Sequence, residues 1–133
     1  MQDPIALAYQ QDLTSQQFYV AYNGGSGIPF LEEYSDTVSD GIYVSIASHT
    51  PLFSSKDKYN AHTGWPSFTA VLPTAPVEYL DDGVWPFKEI QLRCTIDHVN
   101  LGHVFDDGPN GGKRYCMNSH AILFVGKEEM TES

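Results

Sequence analysis

The chain has 133 residues, with 7 lysines and arginines against 17 aspartates and glutamates, so its formal net charge is −10. This length fits one domain over residues 1–133, and 41% apolar with 18% charged residues is a globular composition. The acidic balance excludes nucleic acid and anionic membrane surfaces as partners, and no apolar run reaches the roughly 18 residues of a membrane span.

The N-terminal residues are polar and rich in glutamine, with weak helical periodicity around Ile5–Leu13. They predict a helix or arm over residues 1–17, packed on a core of residues 18–126. The start of the chain lacks the basic residues and the long apolar stretch of a secretory signal. We therefore expect a cytoplasmic protein.

From Gly41 onward, short β-branched and aromatic segments alternate with proline and glycine turns. No segment between them is long enough for the helix that joins parallel strands, so the pairing is predicted to be antiparallel. The predicted fold is mainly β, with two antiparallel sheets in a small sandwich or open barrel. The predicted strands are Gly41–Ala47, Phe68–Leu72, Val77–Leu80, Ile90–Ile96, Val99–Phe105, Arg114–Met117 and Ala121–Val125.

One predicted strand carries a cysteine after a glycine-rich turn. Arg114 lies two residues before Cys116 and Asn118 two residues after it, so the three share one face of an extended strand. A cation and an amide beside a thiol stabilise the thiolate and an oxyanion formed nearby. The alternative is an inert cysteine in the core of a sheet.

Two further segments carry candidate groups. His103 and Phe105 share one face of an apolar strand that ends in two carboxylates, and His103 there is a candidate proton donor. Trp65, between a glycine and a proline, lies on a constrained turn where its ring can line a pocket for a methyl group beside a polarised sulfur. The alternatives are a hydrogen-bonded core histidine and an ordinary core tryptophan.

The cysteine count leaves two possibilities open. Cys94 and Cys116 are too few for a disulfide scaffold, although a single disulfide fits the number, and five histidines make metal binding conceivable. There is no CxxC or HxxxH spacing, so the sequence contains no self-evident zinc site.

Several motifs, in this order, resemble the B-type methionine sulfoxide reductases, which act on the R epimer at sulfur. The resemblance covers about residues 18–126 and implies two antiparallel sheets with short N-terminal helices, in agreement with the strand pattern. The matching motifs are Gly27-Ile28-Pro29-Phe30, Gly41-Ile42-Tyr43-Val44, Pro51-Leu52-Phe53-Ser54-Ser55-Lys56-Asp57-Lys58-Tyr59, Gly64-Trp65-Pro66-Ser67-Phe68, Leu101-Gly102-His103-Val104-Phe105, Asp107-Gly108-Pro109 and Arg114-Tyr115-Cys116-Met117-Asn118-Ser119.

The resemblance implies roles for individual residues. Cys116 matches the catalytic cysteine, His103 the principal active-site histidine, and Asn118 the polar residue after the cysteine. The expected substrate-binding residues surround these three. They are Trp65, which matches the aromatic wall around the substrate methyl, Arg114, which matches a buried arginine near the thiolate, Asp107, which matches an acid of the hydrogen-bond network, Asn100 and Phe105.

The sequence departs from the family at its metal positions. Members that carry zinc use two CxxC pairs, whose positions here are Ser45, Ser48, Cys94 and Asp97. Serine is a poor replacement for a thiolate, so we predict no structural zinc, no other metal and no bound cofactor. Cys94 is then interpreted as a buried thiol.

Two departures fall at the expected active site. Many members have a resolving cysteine just before the GWPSF motif, and that position here is Thr63. The family's second histidine, three residues before His103, is Asn100, which forms hydrogen bonds but does not titrate.

The sequence thus predicts a monomeric enzyme that reduces methionine-R-sulfoxide in oxidised proteins or peptides through a sulfenic acid on Cys116. The expected reductant is an external thiol (thioredoxin, glutaredoxin or glutathione), with Cys94 as an alternative resolving residue. Two other functions stay open. One is a non-catalytic or impaired pocket module for an oxidised or methylated ligand, and the other is a hydrolase that uses Cys116 and His103 for acyl transfer.

Overall fold

The computed structural model describes residues 4–22, 40–81 and 89–126. Short helices precede two antiparallel sheets, which confirms the predicted mainly β fold. The motif Gly27-Ile28-Pro29-Phe30 lies outside the described residues. No helix in the described ranges is long and apolar enough to cross a membrane.

Two short helices precede the sheets, and the second packs against the larger one. Helix α1 spans Pro4–Tyr9 and helix α2 spans Ser15–Tyr22. A reciprocal pair of hydrogen bonds begins α2, because the Thr14 amide donates to the Gln17 side chain at 2.9 Å and the Gln17 amide donates to the Thr14 hydroxyl at 3.1 Å. The helix buries its apolar side in the core, and the buried residues are Phe18, Val20 and Ala21.

The described residues form nine strands in two sheets. The smaller sheet has the order β2-β1-β9, and the larger has the order β3-β4-β8-β7-β6-β5. The strands are β1 (Gly41–Ser45), β2 (Pro51–Ser54), β3 (Lys58–Tyr59), β4 (Ser67–Phe68), β5 (Val77–Asp81), β6 (Ile90–Cys94), β7 (Asn100–Phe105), β8 (Arg114–Met117) and β9 (Ile122–Gly126).

Aromatic rings join the inner faces of the two sheets. The rings of Phe53, from the smaller sheet, and Phe68, from the larger, stack with their centres 4.3 Å apart. Tyr43 meets Phe68 edge to face at 5.1 Å. All three side chains are fully buried, so this contact forms the centre of the core and leaves the other face of the larger sheet for a site.

The structure corrects several of the predicted strands. Gly41–Ala47 ends at Ser45 and Ile90–Ile96 ends at Cys94, because a turn begins at each of these residues. Strands β2 and β3 were not predicted, because β2 begins at a proline and β3 has only two residues. The predicted strand Phe68–Leu72 ends at Phe68. Beyond it the chain crosses between the sheets, where the Leu72 amide donates to the Leu52 carbonyl at 2.8 Å.

A bulge in β7 brings Asn100 and His103 to one face. Gln91 and Arg93 lie two residues apart on β6, and they pair with His103 and Asn100 respectively. Leu101 is the extra residue of the bulge, so the usual alternation is broken at this point. Asn100 therefore lies on the same face as His103, although three residues separate them.

Gly102, next to this bulge, allows β7 to approach β8 closely. Its φ is +153°, and a Cβ on it would lie 2.2 Å from the Cys116 carbonyl oxygen. Only glycine fits a position where the neighbouring backbone comes this close.

We expect Gly102→Ala to reduce the free energy of unfolding by about 3 kcal/mol, because it combines an unfavourable φ with a backbone clash. Gly111→Ala is the matched control, since Gly111 has a φ of +77° but nothing within 4 Å of an added Cβ. Urea unfolding of both variants measures the difference. Equal losses for the two variants would contradict the role of close approach.

Candidate active site

The site is built around Cys116 at the centre of β8. Cys116 pairs directly with His103 of β7 on one side and with Ser67 of β4 on the other. The same row continues to Gln91 on β6 and to Tyr59 on β3. Residues directly opposite each other in antiparallel strands have Cβ atoms about 4.5–5.5 Å apart, so the imidazole and the thiol are neighbours.

The two cysteines differ in accessibility. Cys116 is half-buried and Cys94 is buried. Cys116 therefore keeps some contact with solvent, whereas Cys94 has none. A nucleophile needs this combination of access and fixed neighbours.

Arg114 is held in place on the same face. Its Nε donates to Asp107 Oδ1 at 2.8 Å and its terminal nitrogen donates to Asp107 Oδ2 at 3.2 Å. The guanidinium carbon also lies 4.2 Å from the ring centre of Phe105. A forked ion pair and a ring contact together fix a cation whose side chain is only 16% exposed.

Arg114 and Asp107 shift each other's pKa. The hydrogen bond that Arg114 donates to Asp107 raises the pKa of Arg114, with smaller contributions from the charges of Cys116 and Tyr59. The Arg114 guanidinium in turn holds the pKa of Asp107 below its usual value. Arg114 is thus a permanent positive charge beside the thiol, which favours the thiolate.

Tyr59 and Ser67 also belong to this face, although neither was a predicted site residue. Burial raises the pKa of Tyr59. The positive charge of Arg114 lowers this pKa, and the negative charges of Asp107 and Cys116 raise it. Both residues lie on two-residue strands, which are too short for a period-two pattern. The sequence signal that could have identified them was that both lie inside the motifs shared with the family.

Asn118 follows β8 directly and is held in a fixed position. It is 7% exposed. Its amide donates to the Leu101 carbonyl at 2.9 Å, and its carbonyl accepts from the Ala121 amide at 3.0 Å. These two hydrogen bonds fix the backbone just after β8, two residues beyond Cys116.

The Trp65 turn leads directly into the strand beside Cys116. Gly64 has a φ of +82°, and the Trp65 amide donates to the Thr63 hydroxyl at 3.2 Å. The Met117 amide donates to the Pro66 carbonyl at 2.9 Å, which fixes the turn against β8. Trp65 is partly exposed, as a pocket wall requires.

Asn100 presents an unused acceptor. Its Oδ1 is buried and has no hydrogen-bond partner among the described residues. A buried acceptor without a partner is costly, so a ligand or a water that donates to it is stabilised there.

A cavity of about 440 Å³ lies beside this face rather than at its centre. Neither Cys116 nor His103 lines it, so this cavity does not identify the candidate reacting groups. The residues that line it are Tyr79, Ile90, Val104, Phe105, Asp106 and Lys113.

The positions that correspond to metal ligands in the family lie together, away from Cys116. Within the described residues there is no group of three or more histidine, cysteine, aspartate or glutamate side chains that could hold a metal. Asp97 instead accepts hydrogen bonds from the side chains of Ser45 and Ser48.

Comparison with known proteins agrees with these motifs. Residues 13–126 match the SelR domain family. One relative, from Vibrio cholerae serotype O1, is named peptide methionine sulfoxide reductase MsrA/MsrB and is 47% identical over 119 residues. The match covers 89% of this chain and 32% of the relative, so the chain spans about a third of that protein's length. The chain belongs to the SelR domain family, the B-type methionine sulfoxide reductases that its motifs resemble.

Proposed function

We propose that this chain reduces methionine-R-sulfoxide to methionine, with Cys116 as the nucleophile. The observation that carries the proposal is the pairing of a half-buried cysteine with His103, with Arg114 held on the same face by Asp107. The name of the Vibrio cholerae relative supports the same chemistry.

The proposed reaction transfers one oxygen atom between two sulfur atoms. The Cys116 thiolate attacks the sulfoxide sulfur while His103 donates a proton to the sulfoxide oxygen. The substrate sulfur gains two electrons and leaves as methionine. Cys116 loses two electrons and becomes a sulfenic acid.

The other residues bind and orient the substrate in this proposal. Trp65 contacts the substrate methyl group, which favours methionine over other sulfoxides. Asn118 and Asn100 form hydrogen bonds near the sulfoxide oxygen, and the Asn100 Oδ1 accepts one from the protonated oxygen or a water. Arg114 and Phe105 form the remaining wall.

The sulfenic acid is reduced by an external thiol in this proposal. Cys94 lies on β6 beside Leu92 and faces the core, whereas Cys116 faces the other side of the sheet. Burial raises the pKa of Cys94 to about 11, so it is a protonated and poor nucleophile. Thr63 occupies the position where many family members have a resolving cysteine. These 133 residues contain no thiol besides Cys94 and Cys116. Thioredoxin, glutaredoxin and glutathione are the candidate reductants.

Thiol reactivity tests the separation of the two cysteines. We expect iodoacetamide at pH 8 to label Cys116 in the native protein and to leave Cys94 unlabelled until the protein is unfolded, because Cys94 is buried and protonated. Peptide mass spectrometry locates the label. Equal labelling rates for the two thiols would contradict the structure.

Removal of the Arg114 charge tests its effect on the thiol. We expect Arg114→Ala to slow alkylation of Cys116 at neutral pH roughly three- to tenfold, because a neighbouring cation stabilises the thiolate. The matched control is Lys113→Ala, which removes the same charge from an exposed residue paired with Asp106. An unchanged rate for Arg114→Ala, or an equal loss in the control, would rule out the local effect.

Turnover with dithiothreitol tests the function itself. The wild-type chain should convert methionine-R-sulfoxide but not the S epimer. Cys116→Ser should abolish turnover, and His103→Asn should lower kcat about 100-fold or more, since a positioned proton donor contributes at least that much.

Cys94→Ser is the control for the reductant and should keep its turnover. With one equivalent of substrate and no thiol, mass spectrometry should find one added oxygen on Cys116. Binding without any methionine formed would instead indicate a pocket module. Redox-independent cleavage of an ester or peptide would indicate a hydrolase.

A further inference from the structure

Two turns of the same shape meet on the side of the fold away from Cys116. They span Ser45–His49 and Cys94–His98. In each, the amide of the fifth residue donates to the carbonyl of the first, at 3.0 Å and 2.9 Å. The fifth residue of each has a left-handed φ, 60° and 62°. These turns contain the four positions at which zinc-carrying family members have cysteines.

A single carboxylate joins the two turns. Asp97 Oδ2 accepts hydrogen bonds from the Ser45 hydroxyl, from the Ser48 hydroxyl at 2.7 Å and from the Ser48 amide at 3.0 Å. Its Oδ1 accepts from the Val99 amide at 3.0 Å. Asp97 is fully buried, and all four of these donors are supplied by the protein.

These residues do not fit a zinc ion. Zinc needs ligands with lone pairs directed at the metal, and thiolates are its usual choice at positions like these. Here the two serine hydroxyls donate to Asp97, and both oxygens of Asp97 already accept hydrogen bonds. Only one sulfur, on Cys94, remains at the four positions, and a single thiol does not replace a set of thiolate ligands.

We propose that the Asp97 cluster (Ser45, Ser48, Cys94 and Asp97) joins the two turns by hydrogen bonds to a buried carboxylate and stabilises the fold without a metal. Burial of a charge costs free energy, and the hydrogen bonds to both oxygens of Asp97 offset that cost. Burial alone raises the pKa of Asp97, but the hydrogen bonds from the serines and Val99 outweigh it and hold the pKa below its usual value.

The cluster reaches three other parts of the fold. The Tyr22 hydroxyl of α2 donates to the Asp97 carbonyl at 2.8 Å. The Ile46 amide donates to the Ala121 carbonyl at 3.0 Å, just before β9. The Val99 bond to Asp97 lies immediately before β7, which carries His103. The cluster thus fixes the start of β7, which carries His103, and the segment that follows β8, which carries Cys116.

Substitutions in the cluster test this proposal independently of catalysis. Asp97→Asn replaces one acceptor oxygen by a donor that faces other donors, so we expect the Tm to fall by about 5 °C or more. The matched control is Asp12→Asn, the same change at an exposed residue, which should shift the Tm by no more than about 1 °C. If Asp97→Asn does not fold while the control does, that outcome also supports the proposal.

A milder variant keeps the proposal testable in that case. Ser48→Ala should lower the Tm measurably, and the loss in the double variant with Asp97→Asn should be smaller than the sum of the single losses. The wild-type Tm should be unchanged by a strong zinc chelator, and zinc added and dialysed should not remain bound at one per chain. A Tm that falls with chelator, stoichiometric zinc, or a Ser48→Ala variant as stable as the wild type would overturn the proposal.

Discussion

The close pairing of β7 with β8 is the constraint on which the site depends. His103 and Cys116 are neighbours because they are directly opposed in this ladder. The two strands can pair this closely only because Gly102 has no Cβ that would clash with the Cys116 carbonyl. The bulge beside Gly102 then places Asn100 on the same face. One backbone arrangement therefore positions the Cys116 thiol, the His103 imidazole and the Asn100 amide together.

The second constraint is electrostatic. A chain with a net charge of −10 provides a poor setting for an anionic sulfur, and salt screens distant charges beyond about 8–10 Å. The local environment must therefore supply the positive charge. Arg114 does so from a fixed position, because Asp107 and the Phe105 ring hold its guanidinium. Asp107 is itself well exposed, so its role is to orient Arg114 while water solvates its own charge.

Much of this arrangement follows from sequence patterns, but not all of it. The strand Arg114–Met117 was predicted with its observed bounds, because alternation and a flanking glycine turn mark it clearly. Strands β3 and β4 have two residues each, too few for any period, so the positions of Tyr59 and Ser67 depend on tertiary pairing. The bulge at Leu101 cannot be predicted from alternation either, since it breaks that rule. Whether the expected absence of zinc holds stays a prediction.

The Asp97 cluster separates structural bonding from redox chemistry. A thiolate ligand can be oxidised stepwise by the same oxidants that convert methionine to its sulfoxide, whereas a hydroxyl and a carboxylate have no such steps. Cys94, the one sulfur in the cluster, is buried and protonated, and both features oppose its oxidation. Met117, next to Cys116, is fully buried as well. The fold therefore shields the sulfur atoms it uses for packing and leaves Cys116 accessible, which is the division that an enzyme acting on oxidised sulfur requires.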